Sequence, residues 1–299
     1  MRKIIIDCDP GIDDALAIFL ALASRQDVQV LGLTCVKGNV ALDKTFSNAR
    51  RILAAAERLD IPVFRGLSRP ILAPHAPDAT VHGADGLGGL DLAEPDLPEP
   101  AIHAVDFIRQ QAALFPGEVM LCPIGPMTNV ALALLFDPTL AHRLHSIVFM
   151  GGAAFVPGNM NDHAEFNLMA DPHAAEIVLQ SGADLVMFGL DVTLQARFEA
   201  AHLDRLRQNG NRCSTIAAEL LTVYAAGDHH LHDPCAIAWA LDPTLFSGVR
   251  ARVRVVTDAG AEFGRSVAEV DPQGNCLVVT EVDRDRLFDL VISRLALLP

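Results

Sequence analysis

Positive charge and aromatic rings are scarce in this chain. Its 299 residues carry 23 Lys or Arg against 37 Asp or Glu, for a formal net charge of −14. The lysines are Lys3, Lys37 and Lys44, and no basic run exists. Nucleic acid is therefore excluded as an expected partner, because backbone phosphates need clustered Lys and Arg. No apolar stretch approaches the ~20 residues of a membrane helix. The apolar part of the N-terminus is too short for a signal peptide. Cys8, Cys35, Cys122, Cys213, Cys235 and Cys276 lie far apart, with neither a C-x-x-C pair nor zinc-finger spacing. These features predict free thiols in a cytoplasmic protein with no membrane contact. Tyr224 is the only tyrosine and Trp239 the only tryptophan, so ring surface for stacking a ligand is in short supply.

Carboxylates and apolar residues, by contrast, are abundant and ordered. Hydrophobic residues make up 51% of the chain, enough for a large buried core. The apolar run Ile4-Ile5-Ile6 stops in Asp7-Cys8-Asp9-Pro10-Gly11-Ile12-Asp13-Asp14, and an apolar helix begins at once. On a strand, Asp7 and Asp9 share a face. Pro10-Gly11 turns the chain, and Asp13 and Asp14 fall where free N–H groups favour negative charge. Helix capping and solvation account for one or two of these acids. Four acids in eight residues repel one another unless a cation sits among them, and a hard ion with oxygen ligands suits the set.

Strand-like and helix-like segments alternate along the chain. Strands are predicted at Lys3–Ile6, Val28–Val36, from Pro62, and at Val119–Pro123, Ser146–Met150 and Leu185–Phe188. Helices are predicted at Asp14–Ser24, Leu42–Leu59, Ala101–Leu114, Asn129–Leu135 and Pro172–Ser181. The alternation predicts an α/β fold, a mainly parallel central sheet with helices on both faces. Ligands in such sheets bind at the carboxyl ends of the strands, where Asp7–Asp14, Gly38-Asn39, Gly125–Asn129 and Gly151-Gly152 fall. A long loop is expected from Ser68 to Pro100. Helices until about Leu241 follow, with a possible cap over the sheet edge around 195–230, then strand-like runs at Ala251–Val256 and Cys276–Val282 and a helix from Arg284. No linker or repeat divides the chain, so one domain spanning 1–299 is expected.

Three further clusters carry polar chemistry. In Pro157–Asn167, the side chains of Asn159, Glu165 and Asn167 suit sugar hydroxyls, with Glu165 and Asn167 on one face if the segment is extended. A solvent-exposed loop is the plainer reading of that segment. His229-His230-Leu231-His232-Asp233-Pro234 suggests zinc at first sight, but no second pair of ligands with zinc spacing supports it. A titratable ring and a carboxylate at a helix N-terminus, with Asp233 as N-cap and Pro234 at N1, fit better. His82-Gly83-Ala84-Asp85-Gly86-Leu87-Gly88-Gly89 permits tight turns near a ligand, though alone it reads as a mobile surface loop.

Taken together, these motifs make the chain resemble the inosine–uridine preferring nucleoside hydrolase family. The resemblance runs from the N-terminal acidic motif, through Gly38-Asn39-Val40, the His82–Gly89 segment, Gly125–Asn129 and Ala164–Asn167, to His232–Ala236. It implies a Rossmann-like fold, hydrolysis of the N-glycosidic bond of ribonucleosides, and a Ca²⁺ ion. By position it implies Asp9, Asp14, Asp233 and the Ile124 carbonyl as the ion's ligands, with Asp9 also taking a proton from water. It implies Asp13, Asn39, Asn159, Glu165 and Asn167 as holders of the ribose hydroxyls, Asp7 as a brace behind the motif, and His232 beside the base. His82, Tyr224, Asp228, His229 and His230 are all candidates to assist the leaving base. The poverty in rings leans the expectation toward pyrimidine nucleosides. The resemblance also implies a homodimer or homotetramer.

Two other readings compete. A haloacid-dehalogenase-like phosphatase also opens on a strand and Asp-x-Asp, but needs Thr or Val where Pro10 stands and a downstream catalytic lysine. A calcium-dependent nucleoside- or ribose-binding protein without turnover would need the same pocket, yet every acid expected for catalysis is present.

Overall fold

The computed structural model describes residues 1–72 and 80–299. Part of the expected loop 68–100 therefore lies outside the described residues. The first half of the chain alternates β1 (Arg2–Cys8), α1 (Ile12–Ala23), β2 (Val28–Cys35), α2 (Leu42–Ala55), β3 (Val63–Arg65), α3 (Ala104–Leu114) and β4 (Val119–Pro123). There follow α4 (Thr128–Phe136), α5 (Leu140–Arg143), β5 (Leu144–Met150), α6 (Phe166–Ala170), α7 (Pro172–Leu179) and β6 (Leu185–Phe188). Helices α8 (Leu190–Thr193), α9 (Ala200–Gln208), α10 (Arg212–Tyr224) and α11 (Asp233–Leu241) come next, and β7 (Phe246–Val255), β8 (Ser266–Val270), β9 (Cys276–Val282) and α12 (Arg284–Leu295) close the chain.

Among the described residues, the nine strands join one sheet in the order β3-β2-β1-β4-β5-β6-β9-β7-β8. The pairs from β3 to β9 are parallel, and β7 runs antiparallel to both β9 and β8. Period-two alternation sends the strand side chains into two cores. Ile4, Ile6 and Cys8 face one with Met120, Cys122, Val148 and Phe188. Ile5 faces the other with Leu121, Phe149 and Met187. Both faces are therefore apolar, as buried parallel strands require. Helices α1, α10, α11 and α12 supply the first core and α3, α4 and α7 the second. Every residue of α1 is buried, because the helix lies between the sheet and the packed helices α10, α11 and α12.

After β1 the chain moves to β2 and β3, then returns to place β4 on the other side of β1. Such a reversal opens a crevice at the carboxyl edge of β1 and β4. The acidic motif lies there. Ile124 N–H donates to the Asp7 carbonyl at 2.8 Å and Val36 N–H to the Cys8 carbonyl at 3.0 Å, so the ends of β4 and β2 are fixed to the strand that carries the acids.

Several boundaries differ from expectation. Helix α2 ends at Ala55 because Glu57 takes a φ of +53°, outside the helical region. Strand β7 starts at Phe246, five residues before the expected run; Ser247–Arg250 are exposed and show no apolar alternation. The short strand β8 was not expected at all. Among the described residues no helix is long and apolar enough to cross a membrane.

Candidate active site

Four acids of the N-terminal motif are buried, with Asp7 and Asp14 at 0% exposure, Asp9 at 1% and Asp13 at 4%. Asp9 and Asn39 grip each other. The Asn39 N–H donates to Asp9 Oδ2 at 2.6 Å, and Asn39 Nδ2 donates to the Asp9 carbonyl and to Asp14 Oδ2, both at 3.1 Å. Asp14, three residues into the turn of α1, accepts from the N–H groups of Asp9 at 3.2 Å and Gly11 at 2.8 Å. The Gly11 N–H, at the N-cap of α1, has no intrahelical partner. Asp7 stands behind, accepting from Thr34 Oγ1 at 2.6 Å and Asn129 Nδ2 at 2.8 Å. A Cβ at Gly38 or at Gly125 would overlap the Asp9 carboxylate. Glycine at both positions is what lets two loops close on that side chain.

The electrostatics of this cluster ask for a positive charge. Asp13, Asp14 and Asp233 each bring a carboxylate oxygen within 4.8 Å of the others. Burial, and then the charge of Asp13, pushes the Asp14 carboxyl up to about 7. Burial and the Asp14 charge raise Asp9 well above the carboxylate range. Asp233 rises for the same two reasons, burial first and then the neighbouring acids Asp13 and Asp14. Asp9 Oδ1 is buried without a hydrogen-bond partner among the described residues. An unpaired carboxylate oxygen beside an all-oxygen donor set fits a hard divalent cation. The Ile124 carbonyl is close by and accepts from Asn167 Nδ2 at 3.1 Å, so it keeps one lone pair.

Above the cluster lies a cavity of about 400 Å³ lined by Asp13, Asn39, Ile124, Asn159, Glu165, Asn167 and Asp233, and by Val81, His82, Phe166, Tyr224, Asp228 and His232. It thus gathers nearly every expected site residue. Asp9 and Asp14 lie beneath it. A second hollow of about 260 Å³, between α2 and residues 95–100, is mostly apolar and holds none of them.

Some expectations about local structure do not hold. Glu165 and Asn167 do not share an extended segment: Glu165 caps α6 and Asn167 lies within that helix. The Glu165 carboxylate accepts from Gly152 N–H at 2.7 Å, Asn167 N–H at 2.9 Å and Leu168 N–H at 3.2 Å. It therefore shapes the cavity wall and keeps about one acceptor site for a ligand hydroxyl. Asn159 is exposed, and its Oδ1 accepts from Phe166 N–H at 3.0 Å. The N-cap of α11 is His232 rather than Asp233, which starts the helix.

Nor is the His82–Gly89 segment a mobile surface loop. His82 is 5% exposed and Leu87 fully buried. Ile12 N–H donates to His82 Nδ1 at 3.1 Å, and Asn48 Nδ2 ties the segment down through the carbonyls of Pro10 at 3.0 Å and Asp85 at 2.8 Å. Gly86 takes a φ of +88°, and a Cβ there would press on Asn48. The His82 ring stacks on Tyr224, with centroids 5.3 Å apart. Burial lowers the His82 pKa and raises that of Tyr224, which favours the neutral form of both.

His232 is held from both ring nitrogens, by Thr193 Oγ1 at 2.8 Å from Nδ1 and Asp228 Oδ2 at 3.1 Å from Nε2. Burial disfavours its charge, but the hydrogen bond and charge of Asp228 outweigh it and raise the pKa. Burial acts against the Asp228 carboxylate too, yet hydrogen bonds from His230 and His232 keep it well below the usual range. Thr193 was not foreseen, being 39 residues from His232 in sequence. Asp191 was not foreseen either. It accepts from Ala154 and Phe155 N–H at 2.8 and 2.7 Å, and so fixes the start of the loop that carries Asn159.

A parallel sheet with buried acids at its carboxyl edge, under a cavity of amides and imidazoles, defines an α/β enzyme for a small polyhydroxylated ligand. The sequence profile of the inosine–uridine preferring nucleoside hydrolases matches residues 4–289. The chain is 41% identical over 307 residues to the pyrimidine-specific ribonucleoside hydrolase RihA of Salmonella typhimurium, covering 98% of this chain and 97% of that protein. Among solved structures, the plant nucleoside hydrolase PpNRh1 superposes with a TM-score of 0.91 at 34% identity, over 99% of both chains. The purine-preferring ribonucleoside hydrolase of Gardnerella vaginalis does so with a TM-score of 0.93 at 32% identity, over 99% of this chain and 98% of its own. The chain belongs to the inosine–uridine preferring nucleoside hydrolase family, enzymes that hydrolyse the N-glycosidic bond of ribonucleosides.

Proposed function

We propose that this chain is a calcium-dependent ribonucleoside hydrolase that releases ribose and free base, with pyrimidine nucleosides as preferred substrates. The observation that carries the reading is the buried acid cluster, with Asp9 Oδ1 unpaired, directly beneath a cavity of sugar-binding polar groups. Asp9, Asp14, Asp233 and the Ile124 carbonyl would hold the ion. When bound, Ca²⁺ supplies a fixed positive charge and makes a neighbouring water more acidic.

The protein's own groups account for the rest. Asp9 accepts the proton of the attacking water as general base. Asp13, Asn39, Asn159, Glu165 and Asn167 hold the ribose hydroxyls and orient the sugar. Positive charge develops on the ribose ring as the glycosidic bond breaks, and the surrounding carboxylates stabilise it. With water activated by Asp9, no Ser, Cys or Lys nucleophile is needed: water displaces the base directly and the anomeric carbon inverts. His232, charged through Asp228, and the stacked pair His82–Tyr224 serve the leaving base.

Two observations support the pyrimidine preference. Among the described residues, Phe166 and Tyr224 are the Phe or Tyr rings lining the cavity, which offers limited stacking for a purine. The 41% identity to a pyrimidine-specific relative points the same way. The compartment we propose is cytoplasmic, supported by six free, buried cysteines, and the assembly a homodimer or homotetramer, to be read by light scattering. Incubation with uridine, followed by chromatography for uracil and by proton NMR for the sugar, tests the chemistry. Free uracil with α-ribose appearing first is expected. β-Ribose appearing first would overturn direct displacement, and heat of binding without any uracil would support a nucleoside-binding protein instead.

A further inference from the structure

One group of side chains beside the acid cluster is itself arranged as metal ligands are. Asp228, His230 and His232 each bring a ligand atom within 4.8 Å of the other two. Two imidazoles and one carboxylate differ in kind from the all-oxygen set around Asp9. Nitrogen ligands suit Zn²⁺ and similar borderline ions, whereas oxygen sets suit calcium. The three histidines hinted at zinc, but no second pair of ligands has zinc spacing; the structure brings the neighbouring Asp228 against His230 and His232.

We propose that Asp228, His230 and His232 form a second cation site, which takes Zn²⁺ and in doing so blocks the pocket. His230 Nδ1 lies 2.7 Å from Asp228 Oδ1, and His232 Nε2 lies 3.1 Å from Asp228 Oδ2. The two rings meet at the carboxylate with centroids 5.9 Å apart. An ion about 2.0–2.2 Å from each ligand atom needs these contacts to open only slightly. His232 Nε2 faces the Asp228 carboxylate, where a proton makes the hydrogen bond, and Thr193 Oγ1 lies at the far nitrogen Nδ1. A metal ion would take the place of that proton. Binding of the far ring nitrogen by a hydroxyl is also how metal-ligating imidazoles are oriented.

The supporting backbone is firm. Arg197 and His230 form an isolated β-bridge, the His229 carbonyl accepts from Phe198 N–H at 2.8 Å, and Leu231 N–H donates to the Ala196 carbonyl at 3.0 Å. The His230 N–H donates to Asp228 Oδ1 at 2.9 Å. Side-chain exposures of 22% for Asp228, 20% for His230 and 7% for His232 leave a path from solution. Asp228 and His232 also line the cavity, so an ion bound to them occupies the wall beside a nucleoside. The blocking half of the proposal rests on the hydrolase reading above; the binding half does not.

The test is calorimetric titration of ZnCl₂ into the calcium-loaded protein, with retained calcium measured by atomic absorption and Co²⁺ as a spectroscopic probe. One equivalent of Zn²⁺ bound with calcium retained is expected, along with a visible Co²⁺ band of a four- or five-coordinate site. Thr193→Val should weaken zinc about tenfold to a hundredfold, and His230→Gln more than that. His230 also holds the Asp228 that faces His232, so H230Q is compared with its own zinc-free rate of uridine hydrolysis, which added zinc should leave unchanged. Zinc that displaces the calcium, or binds H230Q as it binds the unaltered chain, overturns the site. Zinc bound at the site with uridine hydrolysis undiminished overturns the blocking role. Failure of the zinc-free, calcium-loaded protein to hydrolyse uridine overturns the hydrolase reading, while the calorimetry still decides the site.

Discussion

Asp9 and Asn39 are clamped to each other in both directions: the Asn39 N–H donates to Asp9 Oδ2 at 2.6 Å, and the Asn39 amide donates back to the Asp9 carbonyl at 3.1 Å. The same amide reaches Asp14 Oδ2. Asn39, in the loop between β2 and α2, thereby sets the position of two acids that follow β1. Asn39→Ala removes the amide and leaves the backbone bond. The expected result is an intact fold and a loss of kcat/KM of about 100-fold, the scale of a small misplacement of reacting groups. Steady-state kinetics with uridine check it; an unchanged kcat/KM would show that the clamp has no part in catalysis.

Asp9 itself is the proposed base. Asp9→Ala should keep its circular dichroism spectrum and lose about 10²- to 10⁴-fold in kcat, the usual worth of a general base. A rate near that of the unaltered chain would remove Asp9 from that role.

The two glycines against Asp9 make a prediction that separates crowding from chemistry. A methyl at Gly38 or at Gly125 would overlap the Asp9 carboxylate, so Gly38→Ala and Gly125→Ala should each displace it. Both variants should fold, at some cost in melting temperature, and lose most activity. Full activity in either would mean that the loops have room to retreat.

Asn129 tests the brace behind the motif. Its Nδ2 donates to Asp7 Oδ1 at 2.8 Å and to the Cys35 carbonyl at 3.0 Å, and its Oδ1 accepts from Leu67 N–H at 2.8 Å. Asn129→Ala removes three hydrogen bonds and leaves Asp7 Oδ1 with Thr34 alone, a destabilisation on the order of 3 kcal/mol. Urea denaturation of the variant measures it directly, and a cost below 1 kcal/mol would mean that water replaces the amide.

What the sequence made legible follows from what each pattern reports. Apolar runs such as Ile4–Ile6 and Leu185–Phe188 marked the strands because parallel strands are buried on both faces. The acids of the N-terminal motif were legible because four like charges in eight residues demand compensation. The edge strand β8 was hidden because its five residues, Ser266–Val270, form no apolar run, and the start of β7 because Ser247–Arg250 are exposed and lack apolar alternation. The five-residue helix α6 is held by the Glu165 cap rather than by periodicity, so the segment read as extended. Pairings such as Thr193–His232 arise from tertiary packing and leave no local trace. His82 looked mobile because its glycines were visible and its anchor, Asn48 on α2, was not.

The measurement that bears most directly on the central claim is release of ribose as reducing sugar from uridine, cytidine, inosine and adenosine, with and without exhaustive removal of calcium. The account predicts release that is fastest from the pyrimidine nucleosides, is lost on chelation and returns when Ca²⁺ is restored. Release unaffected by calcium removal, or no release from any of the four with calcium present, would contradict it.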